Sequence, residues 1–234
     1  MAHLLHETLR ALLLIVTGNG EVWFVTAVTL QVSLAALCLA SLAGIPLAFG
    51  VAQSAGRVAN VITWWLHTLV ALPTVVVGLG LYYLLSASGP FGWMHSLYTR
   101  GAMIGGQFIL ALPIVAVATL TAIRSLRPEA AETSYTLGLR GLIRMRALLG
   151  EVRPAVVSGL MIAFARVFTE LGAAIILGGN IRGRTRTLTT VIALEHTKGN
   201  DANAIALGII LMVLALAVNG AAQSASRWGP VGNR

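Results

Sequence analysis

The sequence predicts an all-α integral membrane protein folded as a single domain over residues 1–234, and three observations carry that prediction. Hydrophobic residues make up 57% of the chain and charged residues 10%, with a mean hydropathy of +0.84, the balance of a polytopic bundle and not of a water-soluble core. Five apolar stretches run from Val25 to Phe49, Ile62 to Leu85, Met103 to Ile123, Val156 to Leu177 and Ala204 to Ala222, each close to the roughly 20 residues that cross a bilayer core as a helix. The charged residues gather mostly between those stretches, as the cost of burying charge in lipid demands.

Taken in order, the chain begins with Leu5, Leu9, Leu12, Leu13 and Val16 on one helical face and His6, Glu7 and Arg10 elsewhere, the pattern of a short amphipathic helix lying in the membrane interface. A cleaved leader is the rival reading. Against it, the apolar run from Ala11 to Val16 is brief, Glu7 weakens the positive leader and no small-residue cleavage site follows. In the first span Ala36, Ala40, Gly44 and Ala48 recur every four residues, a smooth stripe for close helix approach, read as ordinary packing in preference to a dimer seam. Pro73 and Pro113 each follow Ala-Leu within a span, where a proline frees a carbonyl and bends the helix. Cys38, the one cysteine, lies inside the first span and can form neither an intrachain disulfide nor a cysteine metal cluster.

Between the third and fourth spans, residues 124–154 form a basic island with arginines at 124, 127, 140, 144, 146 and 153. Pro128 suits a helix start, Glu129 to Leu137 can form a short helix, and Gly138 permits a turn into a second basic helix from about Leu142 to Leu149. A helical hairpin projecting from a membrane bundle is a natural docking element. The plainer reading is a solvated loop whose arginines only fix topology.

By the positive-inside rule the island is cytoplasmic. Five spans then place the N-terminus and the segments near 86–102 and 178–203 outside and the C-terminus inside. Inside segments would carry nine basic residues and outside segments six; Arg182, Arg184 and Arg186 strain this orientation. The net charge of +8 comes from fifteen arginines and Lys198. Their placement in loops between spans argues for a membrane and against nucleic acid, for which no aromatic-basic surface is present.

The island's Glu132-Thr133-Ser134-Tyr135-Thr136-Leu137-Gly138 resembles the EAA motif in the cytoplasmic loop of the membrane permease subunits of ATP-binding-cassette importers. The match is degenerate, Leu149-Gly150 standing one position early where that family ends the motif with Leu-Pro. The resemblance extends through Ala71-Leu72-Pro73-Thr74-Val75-Val76-Val77-Gly78, Ser88-Gly89-Pro90, Gln107, Ala111-Leu112-Pro113, Gly178-Gly179-Asn180-Ile181-Arg182-Gly183 and Thr185-Arg186-Thr187-Leu188. These segments look like the permeases for tungstate, relatives of those for molybdate. It implies a five-span type I importer permease and alternating access. The implied partners are a second permease copy, two ATPase subunits that bind ATP and Mg, and an extracytoplasmic oxyanion-binding protein, in a bacterial or archaeal cell membrane. It also implies ATPase coupling by Glu129, Glu132, Thr133, Ser134, Gly138, Arg140 and Arg144. Molybdate or sulfate remains an alternative cargo.

The chain itself is expected to bind no cofactor or metal. A phosphate-binding loop needs a lysine after its second glycine, and Lys198 is followed by Gly199 with no such loop around it. An integral membrane enzyme is disfavoured: Asp201 is the one aspartate, and His3, His6, His67, His95 and His196 are scattered. A non-transporting scaffold is the remaining alternative. Arg166 and Glu170, four apart in the fourth span, can meet on one helix face as a structural ion pair or as a pathway or gate element. Gly179 and Asn180, with Gly178 and Gly183, suggest a compact turn closing the outer mouth. Arg182, Arg184 and Arg186 are read as a docking surface for the binding protein, ahead of a direct anion site or a merely exposed loop.

Overall fold

A computed structural model describes residues 20–54, 56–126, 133–134 and 136–227, so the expected N-terminal amphipathic helix lies outside the described residues, as do Glu129 and Glu132. All regular elements among the described residues are helical: α1 Gly20–Gln53, α2 Arg57–Val70, α3 Thr74–Leu85, a 3-10 turn Gly92–Met94, α4 Arg100–Arg124, α5 Gly141–Glu151, α6 Arg153–Phe168, α7 Gly172–Gly178, α8 Leu188–Thr197 and α9 Asp201–Arg227. α1, α4 and α9 are each long and apolar enough to cross a membrane alone. α2 with α3, and α5 with α6, qualify only as broken pairs, which brings the total to five.

The second expected span is therefore not one continuous helix, and neither is the fourth, whose residues fall on α6 and α7. Val70 ends α2 because Pro73 has no N–H to donate and pushes Leu72 out of helical geometry. Ala71 and Leu72 close the end by donating to Thr68 O and Leu69 O, and Pro73, at φ −64°, caps the start of α3. The fourth span stops at Phe168 and resumes at Gly172. Pro113, by contrast, lies inside an unbroken α4.

The chain divides into two compact units. The first holds α1 up to Ala36, residues 73–107 and residues 166–218. Its core joins Val28 and Val32 of α1, Ala102 and Met103 of α4, and Ala174 and Leu177 of α7. A second cluster joins Val25, Leu188, Val191 and Leu207. α3 and α7 touch through glycines: a Cβ on Gly78 would lie 3.0 Å from Ala173 Cα, and one on Gly172 would lie 2.8 Å from Val75 Cγ2. In α1 the hydroxyls of Thr26 and Thr29 donate to Val22 O and Val25 O at 2.8 Å each, which satisfies them inside an apolar helix.

The second unit holds residues 37–72 and 108–165 with the end of the chain. Here the small-residue stripe is used within the chain: Ala40 and Ala48 are fully buried, and a Cβ on Gly44 would meet Val115 Cγ1 at 3.2 Å and Leu112 O at 3.3 Å on α4. Phe49, Ala122, Ile123, Leu148, Val152 and Val156 form its core. That cluster ties the island helix α5 and the start of α6, bent 87° from one another, onto the ends of α1 and α4.

Candidate functional site

The second half of the island folds as its sequence predicts. α5 spans Gly141–Glu151, slightly longer than expected and running through Gly150 to end beyond it. Gly138 sits at φ +68°, the left-handed geometry glycine adopts at least cost, and Leu137 N donates to Thr133 O at 3.0 Å. Within this turn the arginines separate by role. Arg144 is buried, its Nε donating to Ser134 Oγ at 3.0 Å and its Nη1 to Gln53 Oε1 at the end of α1. It braces the turn against the chain itself. Arg140 and Arg146 are exposed.

Beside them stand three apolar side chains for which sequence reading gave no role. Leu137, Leu142 and Ile143 are 68%, 67% and 67% exposed, on both sides of the Gly138 turn. With Arg140 they make an apolar face rimmed by charge, which is how a protein contact surface is built.

In the first unit, residues 179–187 form the turn between α7 and α8. Gly179, at φ +65°, caps α7 by donating to Ile175 O at 2.9 Å, and Asn180 follows at φ +49°. A Cβ on Gly179 would lie 2.7 Å from the ring of Tyr98, whose own N–H donates to Leu177 O at 2.9 Å. Thr185 is buried, accepting from Ile181 N at 3.0 Å and donating to Gly178 O. Thr187 caps α8 in a reciprocal box with Thr190, and Leu188 N donates to Thr29 Oγ1 at 2.9 Å on α1. The motif Thr-x-Thr-Leu is thus the hydrogen-bonding framework of the turn.

The three arginines of this turn do not act alike. Arg182 Nη2 and Arg186 Nη1 both reach Glu21 at the start of α1, at 2.6 and 2.9 Å, and Arg186 Nε also donates to Asn180 O at 3.3 Å. Arg184 is exposed and engages through its carbonyl, which accepts from Arg100 Nε at 2.8 Å. Arg100 also donates to Gln31 Oε1 at 2.7 Å and lies 5.4 Å over the ring of Phe24. Glu21, Gln31 and Arg100 were not singled out in sequence, because their partners lie 69 to 165 residues away.

Arg166 and Glu170 do not form the expected ion pair among the described residues. The reason is local: α6 ends at Phe168, so the four-residue spacing no longer sets the two side chains one turn apart. Arg166 is exposed, whereas Glu170 is buried. Glu170 Oε1 accepts from Ala173 N at 3.0 Å, and its carbonyl accepts from Thr189 Oγ1 at 2.9 Å. A carboxylate at a helix start satisfies donors that have no intrahelical partner, so Glu170 stabilises the restart of the broken span.

A multi-pass helical membrane protein with two broken spans and a braced, arginine-rich loop is the class these features define. The chain belongs to the family described as binding-protein-dependent transport system inner membrane component, whose model matches residues 40–227. It is 38% identical over 200 residues to the probable anion ABC transporter permease protein of Haloferax volcanii, covering 83% of this chain and 86% of that one. It is 32% identical over 209 residues to the tungstate uptake system permease protein TupB of Peptoclostridium acidaminophilum, covering 89% and 92%. Over 212 residues it is 31% identical to the molybdenum transport system permease protein ModB of Mycobacterium tuberculosis, covering 88% and 79%.

Proposed function

We propose that this chain is the permease subunit of an ATP-driven oxyanion importer with tungstate as its cargo, working by alternating access as one of two copies beside two separate ATPase subunits. Family membership supports the transport role, and the names of the anion, tungstate and molybdenum relatives support the cargo class. The observation that carries the coupling is the braced turn: Arg144 fixes Ser134 and Gln53 while Leu137, Leu142 and Ile143 stay exposed. A surface held this rigidly transmits a push from a docked ATPase into α1, and through Leu148 and Val152 into the bundle. In this reading Glu129, Glu132, Thr133 and Arg140 belong to the same coupling segment, the N-terminus faces outside and the C-terminus faces the cytoplasm.

In the first unit, Gly179 and Asn180 shape the outer turn, Arg182 and Arg186 hold it to Glu21, and Arg184 meets an external oxyanion-binding protein. Arginine's planar donors suit an acidic rim. The deciding experiment reconstitutes the permease with its ATPase and binding protein and compares ATP-dependent uptake of tungstate, molybdate and sulfate. Tungstate uptake abolished by omitting the ATPase is the expected result. Faster molybdate or sulfate uptake refutes the cargo assignment, and no ATP-dependent uptake of any of the three refutes the oxyanion reading itself.

A further inference from the structure

A cavity of about 310 Å³ in the first unit is used by neither the coupling loop nor the Arg184 surface. It opens where α1, α8, α9 and the 178–187 turn meet, and its lining is of two kinds. Val25, Val191, Leu207 and Ile210 make one side apolar, continuous with the buried cluster around Leu188. Glu21, Arg182, Arg186, Glu195, Lys198 and Asn203 make the other side charged and polar.

The charged side has its acceptors used and its donors in excess. Glu21 Oε2 accepts from Arg182 and Oε1 from Arg186. Glu195 Oε1 accepts from Lys198 Nζ at 2.9 Å and Oε2 from Asn200 Nδ2 at 2.8 Å. Three cations thus face two carboxylates whose four oxygens all accept already. A guanidinium has five N–H donors and an ammonium three, so Arg182 and Lys198, both exposed, keep donors beyond these bonds. The group this rim accepts is an anion.

The apolar side decides which anion. A free tetrahedral oxyanion carries nothing that gains from Val25, Val191, Leu207 and Ile210, and loses hydration against them. A phosphodiester attached to acyl chains uses both sides. The position agrees: in α1 and α9, both candidate spans, the charged and polar lining at Glu21 and Asn203 precedes the apolar lining at Val25, Leu207 and Ile210, which lies further along each helix. α9 continues from the cavity with Met212, Val213 and Leu216 exposed, a track for an acyl chain. The volume matches the lower end of small-ligand sites, about 300 Å³.

We propose that this cavity binds an anionic phospholipid, its phosphate on Arg182 and Lys198 and its acyl chains against Val25, Val191, Leu207 and Ile210. The site goes beyond the transport reading and does not depend on the cargo. The lipid fastens the outer turn to α1 and α9 at the membrane boundary.

The test is native mass spectrometry of the full-length protein in detergent, titrated with phosphatidylglycerol and, separately, phosphatidylcholine. Both lipids carry the phosphate, but phosphatidylcholine adds a trimethylammonium that the Arg182 and Lys198 rim repels, which predicts a preference for phosphatidylglycerol of about tenfold or more. The double substitution Arg182→Gln with Lys198→Gln should erase it, while Arg57→Gln, an exposed cation of the other unit, should keep it. A thermal melt confirms that each variant is folded. Equal binding of the two lipids by the unsubstituted protein overturns the proposal, as does a full preference surviving in the double variant. Displacement of phosphatidylglycerol by sulfate, tungstate or inorganic phosphate beyond that caused by chloride at equal ionic strength also overturns it, and assigns the rim to a free oxyanion instead.

Discussion

Replacing Arg144 with alanine should release the coupling turn without unfolding the protein. Arg144 donates from Nε to Ser134 and from Nη1 to Gln53, and a hydrogen bond from a charged donor contributes about 1.5–3 kcal/mol. These two bonds contribute roughly 3–6 kcal/mol, reduced because Gln53 is exposed and recovers water in the variant. About 2–4 kcal/mol remains, which raises the local opening equilibrium roughly 30- to 700-fold at about 1.4 kcal/mol per factor of ten. Hydrogen exchange along α5, Gly141–Glu151, measures that opening directly. Arg140→Ala and Arg146→Ala, which remove exposed arginines from the same loop, should alter exchange by less than about 0.5 kcal/mol. Arg144→Lys should fall between, because an ammonium keeps the charge but not the two-pronged geometry. The ATPase should co-purify less with Arg144→Ala, in step with the exchange. If exchange in α5 stays within about twofold of the unsubstituted protein, or Arg146→Ala opens the loop as far, the bracing argument is refuted.

Three further outcomes follow from the first unit. Glu170→Ala should lower thermal stability, by about 1–2 kcal/mol for a lost helix-start acceptor, while Glu170→Gln retains the oxygen facing Ala173 N and Arg166→Ala changes little; a large loss in Arg166→Ala would restore the ion pair. Arg184→Gln should weaken stimulation of transport by the binding protein, with added salt mimicking the defect through screening, and a cysteine at position 184 in a Cys38→Ala background should label from the external side; labelling only from the cytoplasm reverses the orientation. The hydrogen bond from Lys198, joined by those from Asn200 and Asn203, holds the Glu195 carboxyl below the ordinary carboxylate range against an opposing push from burial. A folded pKa below the unfolded one gives stability that is present above the unfolded value and lost as pH falls through the folded one. Exchange in α8 should therefore rise on acidification below about pH 4, and Glu195→Gln should flatten that dependence; a steep dependence persisting in the variant would assign it elsewhere.

How far the sequence can be read depends on whether a property is local. Length and hydropathy mark where α1, α4 and α9 run, because crossing lipid is a demand on each segment alone. The turn at Gly138 and the helix after it are also legible, since glycine and the basic run act within a few residues. The break at Pro73 is half legible: proline announces a bend, but only the bonds to Thr68 and Leu69, with the next helix starting directly after Pro73, make it a full stop. The break after Phe168 has no such marker. It exists because Glu170 meets Ala173 and Thr189 and Gly172 packs against Val75, and two of those three contacts join residues far apart in the chain. For the same reason the Arg166–Glu170 spacing misleads, as an i, i+4 argument presupposes a helix that tertiary contacts have already ended.

The same distinction governs the arginines. Charge composition places them outside the apolar spans without separating an arginine that faces a partner from one that holds the chain's own loop. Structure separates them by what each guanidinium meets. Arg144, Arg182, Arg186 and Arg100 each end on an acceptor of this chain, Arg182 while still exposed, and Arg140, Arg146 and Arg184 are exposed. A long cation tied down at both ends of its loop restricts where the exposed ones can point. Under the proposed docking role, the tied arginines would limit the conformational entropy that the exposed ones lose on binding. The three arginines of the 178–187 turn, half of the six basic residues that strain the positive-inside count, are thus in part internal in role: Arg182 and Arg186 share Glu21, which with Arg184 leaves two units of excess positive charge on the turn.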